Sequence, residues 1–171
     1  MTFKRWLAIG AIACASLAPA AYAADAKDMM VIGKALGFVE GGAKGDVTVA
    51  IVYADDVAGS KEEADAVAGI LGGGLNAGDV TMKPKVISIG DLGSAAGAAA
   101  VYVPAGMSAH YSALSSSKLL TVTTDDACAQ AGACVVSVKS APKVEIIVSR
   151  SAAAAKSVNF AAAFRMMIKE I

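Results

Sequence analysis

Histidine is nearly absent from this sequence, and so is a charge excess of either sign. His110 is the single histidine, so a Ser-His-Asp or Cys-His catalytic arrangement would have to run through that residue. The 15 basic residues equal the 15 acidic residues. A chain with this balance has no electrostatic footprint for nucleic acid. A phosphate-binding loop is not indicated either, because the glycines at residues 72–74 end a predicted helix and no lysine follows them.

Long apolar runs are also lacking, except at the N-terminus. Lys4 and Arg5 precede the apolar residues 6–17, and the small residues Ala21 and Ala23 then match a signal-peptidase site. The apolar run is shorter than the roughly 20 residues that a membrane-spanning helix needs. The sequence therefore predicts a signal peptide over residues 1–23, cleaved after Ala23 or one residue later, and export to the periplasm. An uncleaved anchor is the alternative.

Removal of the predicted signal leaves 148 of the 171 residues. This length suits one domain with one core, over residues 24–171, and no linker or repeat divides it. The signal holds two of the basic residues and none of the acidic ones. The mature chain therefore has 13 basic and 15 acidic residues, a net charge of −2.

Cysteines are few, and the spacing of those that remain limits their chemistry. Cys14 leaves with the signal, whereas Cys128 and Cys134 stay. A pair in an oxidising compartment is expected to form a disulfide, which would stabilise the fold by about 2 kcal/mol. Metal binding is a rival interpretation, but two thiolates alone do not fill a tetrahedral site, and His110 is the only histidine. A redox-active pair is another, but five residues separate the cysteines instead of two.

Apolar, β-branched runs alternate with helical patterns along the mature chain. Strands are predicted over residues 47–53, 85–89, 99–103, 119–123, 134–138 and 144–148. Helices are predicted over residues 27–39, from a capping-box pattern at 60–63 to a stop at 76–78, over 107–115 with Ser108 as a cap, over 150–156 and over 160–170. The alternation predicts an α/β layered domain with a mostly parallel sheet, an antiparallel C-terminal hairpin and helices on both faces.

Polar residues that could bind a ligand follow the predicted strands. Asp55 and Asp56 come after the first strand, His110 comes after a later one, and Asp125 and Asp126 follow the next. Ligands of open α/β sheets bind at these strand ends, and paired carboxylates can hold a cation or transfer protons. Loop carboxylates also serve as solvated turn residues or caps, and a single histidine is often a surface residue. Asp55, Asp125 and His110 are therefore candidate ligand-edge residues, and no catalytic residue, metal or cofactor is assigned.

The features from residue 119 onward follow a known order. They are the strand at 119–123, the loop between Cys128 and Cys134, the strand at 135–138, the segment 143–150, and the helical stretches that end in residues 158–169. In this order they resemble the YfiR-like family of periplasmic proteins, and the upstream half agrees in the order of its elements. Gly41 and Gly42 stand where that family often has Trp-Pro, and the second disulfide of its type member is missing.

This resemblance implies a single lobe of a periplasmic binding-protein fold and a non-enzymatic role. The family's type member represses a membrane-bound diguanylate cyclase by binding its periplasmic sensor, and so couples the envelope to cyclic-di-GMP. The expected partner is an inner-membrane sensor protein such as the periplasmic domain of a diguanylate cyclase, and a homodimer stays open. Two other functions stay open as well. One is the solute-binding component of an ABC-type uptake system, and the other is a small hydrolase or metal-dependent enzyme that uses Asp55, Asp125 and His110.

Overall fold

A computed structural model describes residues 24–171, so the predicted signal peptide lies outside the described residues. Its strands are β1 (Gly45–Tyr53), β2 (Leu75–Asn76), β3 (Val80–Ser88), β4 (Ala100–Val103), β5 (Thr121–Thr123), β6 (Val136–Lys139), β7 (Glu145–Val148) and β8 (Lys169–Glu170). Its α-helices are α1 (Ala26–Gly37), α2 (Ser60–Leu71), α3 (Tyr111–Ser116), α4 (Asp126–Gln130), α5 (Arg150–Ala155) and α6 (Ala162–Arg165). Two 3-10 helices, Ile89–Ala95 and Met107–His110, complete the elements.

The eight strands form one sheet in the order β2-β3-β1-β4-β5-β6-β7-β8. Strands β3, β1, β4, β5 and β6 are parallel, β2 and β7 are antiparallel to their inner neighbours, and β8 is parallel to β7. The predicted mostly parallel sheet with an antiparallel hairpin is thus confirmed. Taken in chain order, the five parallel strands have the doubly wound order 2-1-3-4-5, which places the topological switch point between β1 and β4.

Side chains of β1 alternate between two hydrophobic layers, as a strand with both faces buried requires. Val49 and Ile51 pack in the layer that holds α1, α2, α5 and α6. Ala50 and Val52 pack in the opposite layer, with α3, α4 and the two 3-10 helices. The prediction of helices on both faces is therefore confirmed.

The β2–β3 end of the sheet differs from its prediction. Strand β3 begins at Val80, five residues before the predicted start at residue 85. The sequence pattern does not indicate this longer strand, because Lys83 and Pro84 interrupt the apolar run. Strand β2 pairs only with Thr81 and Met82, so Pro84 lies beyond it, where an edge position tolerates proline. Helix α2 ends at Leu71, before the end predicted at residues 76–78. The short strand β2 forms just after it, at Leu75–Asn76.

The predicted helix over residues 160–170 is wrong for most of its length. The backbone of Phe160 forms a β-bridge with Val39, and α6 covers only Ala162–Arg165. The ring of Phe164 is buried 5.2 Å from the ring of Phe38 and 5.0 Å from that of Phe160. These contacts fix the chain in a bent path, and the open edge of β7 then binds β8. Tertiary contacts here outweigh the local helical pattern.

Both predicted serine caps are wrong, although both helices exist. Gly59 is the N-cap of α2, and the buried Ser60 hydroxyl instead accepts from the N–H of Ala54 and donates to its C=O. Gly106, with φ of 79°, precedes the 3-10 helix in which Ser108 lies, and no side chain caps that helix. Only glycine adopts such a backbone conformation readily.

Candidate functional site

The loops after β1, β4 and β5 meet at the carboxyl edge of the sheet, because these three strands are parallel neighbours. Asp55 and Asp56 lie in the first loop, His110 lies after β4, and Asp125 lies after β5. The structure therefore places the predicted residues at one edge, next to the switch point between β1 and β4.

His110 pairs with Asp56 and not with Asp55. Its Nε2 lies 2.9 Å from Asp56 Oδ1, which joins the β1 loop to the β4 loop. The hydrogen bond from His110 is the main cause that lowers the pKa of the exposed Asp56 carboxyl. Asp55 is exposed beside this pair. Within residues 24–171, no three His, Cys, Asp or Glu side chains lie close enough to hold a metal ion.

Asp125 is a helix cap that also ties two loops together. Its Oδ1 accepts the N–H of Ala127 at 2.9 Å and so caps α4. Its Oδ2 lies 3.4 Å from the N–H of Gly106 and 3.5 Å from the Tyr111 hydroxyl. Burial, followed by the Asp125 charge, raises the pKa of Tyr111 to about 12. The interpretation of Asp125 as a cap is thus confirmed.

Glu63, on the first turn of α2, is a further member of this edge. Its Oε1 accepts the Tyr102 hydroxyl at 2.6 Å, and its Oε2 accepts the N–H of Ala105 at 3.1 Å. Tyr102 is fully buried in β4, and its hydroxyl also lies 3.3 Å from Thr124 Oγ1. Burial raises the pKa of Glu63, and the two hydrogen bonds it accepts oppose that rise. The buried Tyr102 has a pKa well above its ordinary value because of burial and the Glu63 charge.

The sequence pattern does not indicate that Glu63 belongs to this site, because Ser60-x-x-Glu63 predicts a capping box in which the glutamate bonds only to its own helix. A second signal was present in the strand at residues 99–103. Tyr102 is its one aromatic residue, and a buried tyrosine hydroxyl usually requires a hydrogen-bond partner. That requirement predicts an acceptor near the strand, and Glu63 is the residue that meets it.

We name Asp56, Glu63, Tyr102, His110 and Asp125 the switch-point cluster. The carboxylates of Glu63 and Asp125 accept the successive backbone N–H groups of Ala105 and Gly106, in the loop after β4. In doubly wound domains, ligands bind outside the strand ends at this point. In this chain, internal carboxylates already occupy the two N–H groups, and the His110–Asp56 pair joins the adjoining loops.

The disulfide beside this edge joins Cys128, in the middle of α4, to Cys134, which lies after that helix. The two Cα atoms are 5.2 Å apart, and both cysteines are buried. The N–H groups of Ala133 and Cys134 donate to the C=O of Cys128, which closes the loop a second time. Burial and backbone bonding of this kind characterise a structural disulfide.

An apolar groove lies between the first two turns of α1 and the β6–β7 hairpin. Its volume is about 410 Å³. It is lined by Ala26, Lys27, Met30, Val31, Ser140 and Val144. The sequence did not predict it, because it forms between segments more than 100 residues apart.

No family model matches this chain, and no curated protein matches it in sequence. Within residues 24–171, none of the helices has the length and hydropathy that crossing a membrane requires. The fold and the site together define a doubly wound α/β domain whose switch point is closed by its own hydrogen bonds.

Proposed function

We propose that this protein is a non-enzymatic regulatory module of the periplasm, which binds an inner-membrane sensor protein in the way that its resemblance to the YfiR-like family implies. The single observation that carries this proposal is the closed switch-point cluster. At the edge where such domains bind or transform small molecules, Glu63 and Asp125 bond to the chain's own backbone.

An enzyme at this edge would need Asp55, Asp125 and His110 to converge on one substrate atom. His110 bonds to the neighbouring Asp56, and Asp125 is engaged as a cap and loop tie. A general base must be within hydrogen-bond reach of the proton that it removes. The observed bonding therefore favours a structural role for these groups.

A solute-binding role would need an open crevice at the same edge, and such proteins usually close two lobes on a ligand. The described residues form one sheet, and at its carboxyl edge Glu63 and Asp125 accept hydrogen bonds from Tyr102 and from the loop after β4. A protein that recognises a partner needs only exposed surface, so the closed edge favours protein binding over solute capture.

Location in the periplasm rests on the predicted signal peptide and on the disulfide. Disulfides persist in oxidising compartments and are rare where thiols are kept reduced. The buried Cys128–Cys134 bond is consistent with that environment. The connection to a diguanylate cyclase comes from the family resemblance alone.

The test is a deletion of the gene in its own host, followed by measurement of cyclic-di-GMP. We expect cyclic-di-GMP to rise when repression is lost and to return to its first level with a plasmid copy. A matched control copy that lacks residues 2–23 should stay in the cytoplasm and fail to restore it. An unchanged cyclic-di-GMP level in the deletion strain would overturn the signalling proposal.

A thermal-shift screen of small solutes distinguishes the proposed regulatory function from the alternative, solute binding for an uptake system. A ligand present at 100 times its dissociation constant stabilises a protein by about 2.7 kcal/mol, which a melting curve resolves readily. A solute that produces such a shift would favour the uptake function. We expect none of the screened solutes to do so.

A further inference from the structure

We propose that the groove between α1 and the β6–β7 hairpin is the partner-binding surface, and that it receives an apolar segment flanked by acidic residues. The inference rests on the proposed function and specifies the chemistry of the partner. It is carried by the shape, the exposure and the unpaired charge of this groove.

The groove exposes apolar surface in a concave shape. Val144, on the hairpin, is 57% exposed, whereas Met30 and Val31 are half-buried on the facing turn of α1. Exposed apolar surface of this kind, rimmed by polar residues, marks interaction sites. A side chain such as leucine or phenylalanine, inserted from a partner, would remove all three residues from water.

The two walls of the groove are fixed before any partner arrives. The buried Asp28 carboxylate accepts the N–H of Ser140 at 2.8 Å, which joins α1 to the hairpin. The same side chain completes a capping box with Asp25 at the start of α1. A preformed groove binds with less loss of conformational entropy than one that must assemble. Ser140 lines the groove as well, and its buried hydroxyl has no hydrogen-bond partner among the described residues.

The charge around the groove selects an acidic partner. Lys27 lines the groove and Lys143 precedes Val144, and neither forms an ion pair with a carboxylate of residues 24–171. Among the six residues that line the groove, Lys27 is the one charged residue. The positive charge of Lys27 and Lys143 favours an acidic group on the partner at the rim of the groove.

A second copy of the chain fits this groove poorly. A two-fold symmetric contact would bring Lys27 and Lys143 toward the same residues of the other copy, and like charges would repel. A membrane surface also fits poorly, because bilayers receive protruding apolar side chains and not concave grooves. The protruding methionines, Met166 and Met167, lie outside the groove lining.

The first test places the photocrosslinker p-benzoylphenylalanine at Val144 in the full-length protein in its own host. Val86, exposed on β3, is the matched control position. We expect the Val144 position to crosslink to a periplasmic segment of an inner-membrane protein, in which mass spectrometry finds apolar residues beside Asp or Glu. We expect no such product from the Val86 position.

The second test reverses the charge of the rim. The double variant Lys27→Glu, Lys143→Glu should lower the Val144 crosslink yield by about tenfold. The control variant Lys34→Glu, Lys85→Glu carries the same charge change outside the groove and should leave the yield unchanged. Reversal of the partner's acidic residues should restore the yield. A yield that does not respond to rim charge would overturn the proposal, as would a crosslink to a second copy, a crosslink to lipid only, or no product.

The variant Val144→Asp separates this inference from the proposed function. Because Val144 is exposed, we expect its melting temperature to match that of the wild type. In the deletion strain it should fail to restore the cyclic-di-GMP level, whereas Val86→Asp should restore it. Full restoration by Val144→Asp would overturn the groove as the partner site and leave the proposed function intact. If deletion itself has no effect, the proposed function fails instead.

Discussion

At the scale of single residues, Tyr102 and Glu63 satisfy each other's hydrogen-bonding groups. A fully buried tyrosine hydroxyl needs an acceptor, and a half-buried carboxylate needs donors. The bond of 2.6 Å between them satisfies both, and the N–H of Ala105 occupies the second carboxylate oxygen. The contact joins β4 to α2 and closes the switch point, so its loss should affect the stability of the fold.

We predict that Tyr102→Phe lowers the free energy of unfolding by about 2 kcal/mol at neutral pH, because Glu63 loses a donor to its charged form. The deficit should shrink as pH falls through the raised pKa of Glu63, since a protonated carboxyl depends less on that donor. Chemical denaturation at several pH values measures both effects.

Tyr53→Phe is the matched control, because no hydrogen bond of the half-buried Tyr53 hydroxyl is found within residues 24–171. We expect its free energy of unfolding to stay within about 0.5 kcal/mol of the wild type. Equal effects of the two variants would contradict the role given to the Tyr102 hydroxyl.

Lys156 is a second residue whose surroundings have measurable consequences. It is only 6% exposed, and its ammonium donates to the C=O groups of Leu114 at 2.7 Å and Ser117 at 2.6 Å, at the end of α3. Burial, followed by the charge of Lys118, lowers the pKa of Lys156 from 10.5 to about 8. The helix end gains a cation, which is favourable there, but the ammonium gives up its hydration.

We predict that stability rises with pH above about pH 8, because the unfolded chain then binds a proton at Lys156 that the folded chain has released. The rise should be visible up to about pH 9.5, below the range in which tyrosines of the unfolded chain ionise. Lys156→Met should abolish it in urea titrations. Lys85→Met should retain it, since Lys85 also donates to a C=O but is exposed. A rise that survives in Lys156→Met would contradict the assignment.

At the scale of elements, the loop between Cys128 and Cys134 shows covalent and hydrogen bonds acting together. Asp125 caps α4 at its start. The disulfide joins Cys128, inside α4, to Cys134, which lies after the end of that helix. Asp126 then accepts the Ser137 hydroxyl at 2.6 Å and pairs with Lys139, which docks α4 against β6. A helix of five residues would not be stable alone, so these bonds are what maintain it.

We predict that the double variant Cys128→Ala, Cys134→Ala loses about 2 kcal/mol of stability, because the unfolded chain is no longer closed into a short loop. Denaturation of the wild type with a reductant should give the same loss. The reductant should leave the double variant unchanged, which serves as the control. An unchanged wild-type midpoint under reduction would show that the disulfide does not contribute to stability.

The same scale shows which local patterns were sufficient. The continuous apolar runs at residues 47–53 and 99–103 predict buried strands, and both segments form them, because short apolar runs of this kind are typical of strands with both faces buried. The predicted helix at 160–170 failed, because Phe160 and Phe164 are fixed by ring contacts that local periodicity does not encode. The capping-box pattern predicts that Ser60 and Glu63 bond within their own helix, and it does not indicate Ala54 or Tyr102 as their partners.

At the scale of the whole molecule, the sheet is protected at both of its ends. Strand β2 covers only Thr81 and Met82 of β3, and the rest of that edge carries Lys83, Pro84 and Lys85, which oppose pairing with another chain. Strand β8, at the other end, contains only two residues. The ends of the sheet therefore discourage pairing with another strand, which favours binding of a partner through side chains.

Export is a prediction for the whole molecule. We expect the protein purified from the periplasm to have the mass of a chain that begins at Ala24, and no free thiol at Cys128 or Cys134. Ala23→Leu should block cleavage and retain the precursor in the membrane fraction, whereas Ala20→Leu should be cleaved normally. Free thiols, or a mature chain with the N-terminal segment attached, would contradict this prediction.

By itself, the sequence determined the fold class, the parallel core strands, the C-terminal hairpin and the cysteine pair. Each of these depends on patterns that extend over a few neighbouring residues, such as runs of β-branched side chains. Only the tertiary structure decided the order of the strands, the bond between Glu63 and Tyr102, and the groove between α1 and the hairpin. These features join residues that are far apart in the sequence. Tyr102 and Glu63 are separated by 39 positions, and Ser140 and Asp28 by 112. Such partners are selected by packing and by the need to satisfy buried polar groups, which no local pattern records.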